Sequence, residues 1–506
     1  MALDPRTPVL VGVGQVAERP DDGVALTDRP EPVELMARAL LAAARDCGPA
    51  GTGRRLLERA GSLRVMLPLS WQYVNPALLV ADKLSIAPPE MACSTIGGNS
   101  PQTIAASTAL AIAGGELDVA LLTGAECTYT RVAARRHAER PVLPWTTQPP
   151  GTPEAVLLGT DRDPVTETER ARGLDRPLRV FPLFETALRA AAAESIEAHQ
   201  VKVSELWARF SQVAATNPHA WSHTAYRPED LRTVGNDNRM IAFPYPKRMN
   251  ANDRVDLGAA LIMCSLAEAR RAGVPDEQLV FPVAAADAHD HWFLSHRDDL
   301  CSSPAIAAAA RHAFAAAGRT VDDVDHVDLY SCFPSAVQMG AEAIGLPVDD
   351  PRRPLTVTGG LGFAGGPGNN YVTHALATMT ERLRSEPGSL GLVTGLGWYA
   401  TKHAVGLWSS APPPGGFRHV EPQAEVDALP QRAPGSDVEG DVTVETYTVV
   451  HDRDGRPELA IVALLSGDGR RAWGNVTDAD TLQGLMGEEG CGRKARLHGD
   501  GRTDIR

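Results

Sequence analysis

The sequence predicts an α/β layered protein built from two related halves around mostly parallel sheets. Two observations carry this. Short apolar runs alternate with segments of helical period, and a Gly-rich elbow followed by a helix and a strand ending in Thr-Gly occurs twice. The first copy runs from Gly97-Gly98-Asn99-Ser100 to Thr123-Gly124, and the second from Gly365-Gly366-Pro367-Gly368 to Thr394-Gly395.

The elements follow in order. Residues 9–11 after Pro8 read as a buried strand, with Gly12 and Gly14 at its exit. Pro32 opens a helix of regular apolar spacing that ends near Asp46. Residues 62–69 read as a strand, 75–84 as a helix and 91–96 as an apolar run broken by Gly97-Gly98. An Ala-rich helix (101–113) and a buried strand (119–122) complete the unit. From about 127 to 250 the rhythm breaks. A Pro-, Arg- and Thr-rich stretch (138–181) precedes two helices (183–199 and 203–215), as expected of an insertion. Strands resume at 257–264 and 281–286.

Residues 411–435 are dense in Pro and Gly and read as a linker. Beyond it, 442–450 and 458–465 flank a turn as a β-hairpin, and Trp473 and Val476 mark a third strand. The Gly-rich, charged tail from Gly487 is expected to fray. The predicted organisation is therefore 1–126, an insertion at 127–250, 251–410, a linker at 411–435 and a β-rich domain at 436–506.

The 506 residues are 43% hydrophobic and carry a formal net charge of -14, which argues against nucleic acid and anionic membrane as partners. No run of 18 apolar residues is present, and the first residues lack a signal-peptide pattern. Seven cysteines without a CxxC spacing argue against a disulfide framework and a zinc site. His289 and His291 alternate on a strand without a third ligand, so no metal is expected. A reducing cytoplasm is the expected compartment. The Ala- and Arg-rich, Lys-poor composition points to a bacterial source.

LVGVGQV near the start, STIGGNSPQTIAASTALAIAGGELDVALLTGAE, NRMIAFPYPKRMNANDRVDLGAALIMCS, DLYSCFPSAVQ, TGGLGFAGGPGNNY and LVTGLGWYATKHA appear in this order. In order and spacing they resemble the thiolase superfamily, in the branch of sterol-carrier-protein-type thiolases and their thiolase-like relatives. The resemblance spans about residues 8–410. It implies a thiolase fold: two βαβαβαββ halves in five layers, with an inserted loop domain. The domain after the linker resembles the additional C-terminal domain of the type 1 thiolase-like proteins and is expected to be a small, β-rich, OB-like unit. The resemblance implies dimerisation through the strand near 91–96, as in most relatives; the appended domain leaves homodimer and monomer both open.

A working thiolase needs a Cys nucleophile at a helix N-terminus, an activating His and a second Cys as base. By resemblance these positions fall on Gly97, Gly366 and Val393, and the residue opening the motif that ends in Phe333 is Tyr330. All four depart from the family pattern, so ordinary Claisen chemistry is not expected. The candidates left in these loops are Tyr330, Tyr371 and His403. The resemblance also implies coenzyme A or an acyl-CoA as ligand, with no covalent cofactor. Arg239, Lys247 and Arg248 are candidates for its phosphates. The leading expectation is an acyl-CoA-binding protein of lipid or sterol metabolism, either an atypical retro-aldolase-like lyase or a carrier without turnover. The alternatives are an acetyl-CoA acetyltransferase with a relocated nucleophile such as Cys93, and a scaffold.

Overall fold

The computed structural model describes residues 3–20 and 23–506. Its strands, in chain order, are β1 (Pro8–Ala17), β2 (Ser62–Val65), β3 (Glu90–Ser94), β4 (Val119–Cys127) and β5 (Val156–Leu158). They continue with β6 (Met240–Ala242), β7 (Tyr245–Pro246), β8 (Asp256–Ser265), β9 (Phe281–His289) and β10 (His326–Asp328). Then come β11 (Leu390–Gly397), β12 (Lys402–Ser409), β13 (Arg418–Val420), β14 (Gly440–His451), β15 (Pro457–Leu465), β16 (Arg471–Val476), β17 (Lys494–Leu497) and β18 (Thr503–Ile505).

The first sheet has the order β1-β8-β4-β2-β3-β5, the second β10-β11-β12-β9-β13. The repeat seen in sequence is a repeat of topology. In each half the first strand pairs antiparallel with the last: β1 with β8, and β9 with β12. That last strand pairs antiparallel with the strand after the Gly elbow, β4 or β11. That strand in turn pairs parallel with β2 or β10. The near-continuous apolar sequence of these strands follows from helices covering both faces.

Helices Ser100–Gly114 and Tyr371–Ser385 lie between the sheets, each touching strands of both. Pro32–Asp46 covers the outer face of the first sheet, and Pro304–Ala317 that of the second, giving five layers. Ser100–Gly114 has no single apolar stripe. Ile104, Ala105, Thr108, Ala109 and Ile112 are all buried, as a helix enclosed from both sides requires. The outer edge of β3 is occupied by the chain's own β5, so that edge is paired in cis.

The insertion contributes helices Pro177–Ala191 and Ile196–Thr216, locked to the second half by a buried polar network. Glu185 accepts from the Tyr245 hydroxyl and from Gln338 (2.7 Å) and contacts His199 Nε2 (2.6 Å). The other His199 nitrogen meets Glu194 Oε2 at 2.6 Å, so a doubly protonated ring satisfies both carboxylates. Burial opposes that charge, but bonding to Glu185 and Glu194 outweighs it and raises the His199 pKa above its ordinary value.

The last domain is a small barrel. β15-β14-β17 and β16-β15 pair antiparallel, β17 pairs with β18, and β16 meets β18 through a parallel bridge between Asn475 and Arg502. Helix Ala479–Gly487 between the third and fourth strands packs on β15 and β14, which is an OB-like arrangement. The tail does not fray: Gly487 and the residues after it supply β17 and β18, because the barrel cannot close without them. The Pro/Gly-rich stretch read as a linker is also ordered. It carries β13, paired with β9, and helix Gln423–Asp427.

The barrel is fixed to the body rather than tethered. β14 pairs with β6 of the insertion, and Thr446 Oγ1 donates to Leu183 O (2.7 Å). Buried Arg471 pairs with Glu445 and donates to the carbonyls of Leu294 (2.9 Å) and Arg297, while Trp473 Nε1 donates to Ser295 Oγ (2.9 Å). Among the described residues no helix is long and apolar enough to cross a membrane.

Replacing His199 with Ala leaves Glu185 buried beside an emptied site and is expected to cost about 3 kcal/mol. Because the folded-state pKa is raised, the stabilisation is complete below about pH 6.5, the ordinary value, and is lost as pH rises through the higher folded-state value. Thermal melts of both proteins should therefore differ most in mild acid and converge in alkali.

Candidate active site

The site is built where helix Ser100–Gly114 points its N-terminus at β11 and β12. The helix approaches closely because β11 presents glycines there. A Cβ on Gly395 would lie 2.8 Å from Asn99 Cα, and one on Gly397 3.3 Å from Gly97 Cα. Either side chain would push the helix away, so these glycines serve close approach rather than an unusual backbone angle.

The elbow glycines are filled from outside. A Cβ on Gly97 would lie 2.8 Å from Lys402 Nζ, and one on Gly98 would collide with the Tyr330 hydroxyl. The space that a side chain at either glycine would need is thus taken by an amine on one side and a phenol on the other. Gly97 N donates to Asn369 Oδ1 (2.9 Å), and Asn369 Nδ2 to Leu67 O (2.8 Å), which fixes the elbow against the loop after β2. Among the described residues no acceptor takes the N–H of Gly98, which remains available at the positive end of the helix.

Tyr330 follows β10 and is held by its own N–H, which donates to Thr394 Oγ1 (2.8 Å). Its ring meets Tyr371 edge to face at 5.5 Å. No described group bonds its hydroxyl, and burial raises its pKa far above the ordinary phenol, so it remains a proton donor. Tyr371 differs. Its hydroxyl donates to Asp328 Oδ1 (2.9 Å) and contacts Thr358 Oγ1 (2.7 Å), within a buried carboxylate network that also includes Thr356. It braces the loop that carries Tyr330.

His403 lies on β12 next to Lys402, but strand alternation turns it to the opposite face. There its Nε2 contacts Asp290 Oδ2 (3.2 Å), Ala400 O (3.1 Å) and Ser303 Oγ (3.4 Å). Ser303 caps helix Pro304–Ala317, so this cluster joins sheet to helix. His403 and Tyr330 line a common cavity of about 10 Å³, room for about one water. Gly366 forms a turn whose N–H donates to Asn252 O (2.9 Å). Val393 is fully buried on the same face of β11 as Gly395.

The basic candidates are mostly engaged within the chain. Arg239 donates to Met240 O (3.1 Å) and Asp452 O (3.2 Å). Arg248 stacks on Tyr226 at 5.0 Å and donates to Asp230 O (3.0 Å), whereas Lys247 is exposed. Cys93 is buried in β3, and burial pushes its thiol up to about 12, which disfavours it as a nucleophile at neutral pH. Cys332 is shifted upward for the same reason. His289 and His291 bond the carbonyls of Asp290 (2.9 Å) and Pro430 (3.1 Å). Among the described residues no group of three His, Cys, Asp or Glu is placed to hold a metal ion.

Lys402 was not among the sequence candidates. It is 8% exposed, and burial lowers its amine to about 8 despite the charge of Asp161. A signal was present in the doubled glycine itself, since Gly97 leaves room for a long side chain from another strand.

Filling the elbow predicts a packing defect. Gly98→Ala is expected to destabilise by about 1–3 kcal/mol through collision with Tyr330. Combining it with Tyr330→Ala should recover part of that loss, as equilibrium denaturation of the single and double variants would report.

A family model for the thiolase-like protein type 1 additional C-terminal domain matches residues 421–502, and one for a thiolase C-terminal domain-like region matches 286–352. No curated protein matches the chain by sequence. Among solved structures the chain is similar to a monomeric SCP2-thiolase like protein type 1 from Mycobacterium smegmatis, at 33% identity over 100% of both chains and a TM-score of 0.83. It shares the fold of an Ltp2-ChsH2(DUF35) aldolase, at 18% identity over 80% of this chain and 98% of that one, with a TM-score of 0.57. It likewise shares the fold of the dimeric peroxisomal thiolase of Saccharomyces cerevisiae, at 14% identity over 81% and 98%, with a TM-score of 0.54. The five-layered halves, the OB-like appendage and the full-length match agree: this chain belongs to the family of SCP2-thiolase-like proteins type 1.

Proposed function

We propose that this protein binds an acyl-CoA and cleaves a carbon–carbon bond in its acyl chain by a retro-aldol route. The observation that carries the reading is the unbonded Tyr330 hydroxyl standing at the Gly98 elbow, beside a helix-end N–H with no acceptor among the described residues. Such a pair is suited to a thioester oxygen that becomes an enolate when the bond breaks. A thiolase would need a thiolate there, and burial holds the available thiols protonated. The acetyltransferase reading with Cys93 is therefore not favoured.

The likeness to a DUF35-containing aldolase supports the reading at the level of fold. In this chain the OB-like barrel is covalently attached and docked, so we assign to it the place of a partner domain supplied in cis. Lys247 is the exposed cation of the three expected to meet the coenzyme's phosphates. The cis-paired β3 edge and the monomeric relative support a monomer as the working unit.

A second reading, a binding protein without turnover, draws on one observation: the cavity beside Tyr330 holds about 10 Å³, far less than an acyl group fills. The lyase reading requires this cavity to widen when ligand enters.

Titration calorimetry with CoA and with 3-hydroxyacyl-CoAs separates the readings, with products followed by mass spectrometry. The lyase reading expects binding, a shortened acyl-CoA and a released carbonyl compound. Tyr330→Phe should retain binding and lose about 100-fold or more of the turnover. Binding without product would support the carrier, and no binding of either ligand would overturn both.

A further inference from the structure

We infer that Lys402 is the proton acceptor of this site, taking the hydroxyl proton of a 3-hydroxyacyl thioester as its Cα–Cβ bond breaks. The inference rests on the lyase reading above and names its base and its substrate class.

Position comes first. Lys402 Nζ occupies the space a Gly97 side chain would need, while Tyr330 occupies that of Gly98, so the amine and the phenol flank one peptide unit at the helix mouth. Among the described residues the amine makes one hydrogen bond, to the carbonyl of Ile96 (2.6 Å), and no carboxylate pairs with it. Asn99 Oδ1 adds an independent sign of a ligand. It is buried without a hydrogen-bond partner among the described residues, on the Gly97 side of the elbow, facing the same spot as Lys402. A buried acceptor left unsatisfied is costly unless a ligand N–H or O–H donates to it.

The surroundings leave the amine without a fixed counter-charge. Asp161 acts from the exposed loop after β5. His289, opposite Lys402 in the β9 register, bonds Asp290 O. Asp287 is paired with His419 at 2.8 Å, and Asp290 with His403 at 3.2 Å. Tyr330 comes from the loop after β10 and carries no charge. Burial therefore acts in opposite senses on the two groups: it frees the amine of its proton at about 8 and keeps the phenol protonated. That separation divides the roles of base and acid.

The step balances without a co-reactant. The Nζ lone pair takes the β-hydroxyl proton and the β-oxygen closes to a carbonyl. The Cα–Cβ pair moves into the thioester as an enolate, held by the Gly98 N–H and the Tyr330 O–H. The α-carbon then takes a proton back from the Lys402 ammonium. One 3-hydroxyacyl thioester becomes one aldehyde or ketone and one shorter acyl thioester.

The chain has lysines at 83, 202, 247, 402 and 494 only, so labelling can be resolved residue by residue. Full-length protein is treated with an amine-acetylating reagent across a pH series and mapped by mass spectrometry. Lys402 should reach half its limiting rate near pH 8, whereas an ordinary lysine amine continues to rise toward about pH 10. In parallel, Lys402→Met and Lys402→Arg are assayed for acyl-CoA affinity and for cleavage of 3-hydroxyacyl-CoA. Both should bind within about twofold of wild type and lose about 100-fold or more of the cleavage. Lys402 following the pH profile of an ordinary lysine amine, or Lys402→Met cleaving normally, overturns the role of Lys402 and leaves the lyase reading standing. No cleavage by the wild type overturns the lyase reading and this role with it.

Discussion

The structure depends on how closely one helix end can approach one strand. Helix Ser100–Gly114 reaches β11 because Gly395 and Gly397 carry no side chains, and the elbow accepts Lys402 and Tyr330 because Gly97 and Gly98 carry none. In a close-packed interior the same space cannot hold two side chains. A side chain at either elbow glycine and the amine or phenol that fills its space are therefore mutually exclusive in packing terms. A cysteine placed at the elbow would have to displace Lys402 or Tyr330, which already occupy the volume.

This constraint organises the rest of the molecule. The enclosed helix requires sheets on both sides, and the repeated strand order provides them. Asp328 gathers Tyr371, Thr356 and Thr358 so that the loop bearing Tyr330 is rigid. The insertion helices stack Phe181 on Phe333, three residues past Tyr330, at 4.5 Å, and the barrel in turn leans on those helices through Thr446. The appended domain therefore bears on the site through two layers of packing, without reaching it.

Much of the fold was legible in sequence because its signals are local and periodic. The recurring Gly elbow, helix and Thr-Gly strand matched the two middle-layer helices and β4 and β11. The extent of order after residue 410 was not legible. Pro and Gly in 411–435 break helices and strands locally, yet β13 needs only three residues to add to β9. The Gly-rich tail closes a barrel by long-range pairing that no local pattern announces. At the site, the motifs drew attention to the loops of Gly97, Tyr330, Gly366 and Val393, whereas the side chain that fills the Gly97 space from another strand was not legible. His403 drew notice as a histidine in a former catalytic loop, but along a strand neighbours face opposite ways, and the residue directed at the elbow is Lys402. Arg239 and Arg248 read as free cations, and only the fold shows them bound to Asp452 and Tyr226.

The most direct measurement is a crystal structure with a 3-hydroxyacyl-CoA or a non-cleavable analogue bound. The account predicts the thioester oxygen within about 3 Å of both the Gly98 nitrogen and the Tyr330 hydroxyl, with the β-oxygen facing Lys402 Nζ. A thioester lying against a cysteine sulfur, or an acyl chain lodged away from the Gly97-Gly98 elbow, would contradict it.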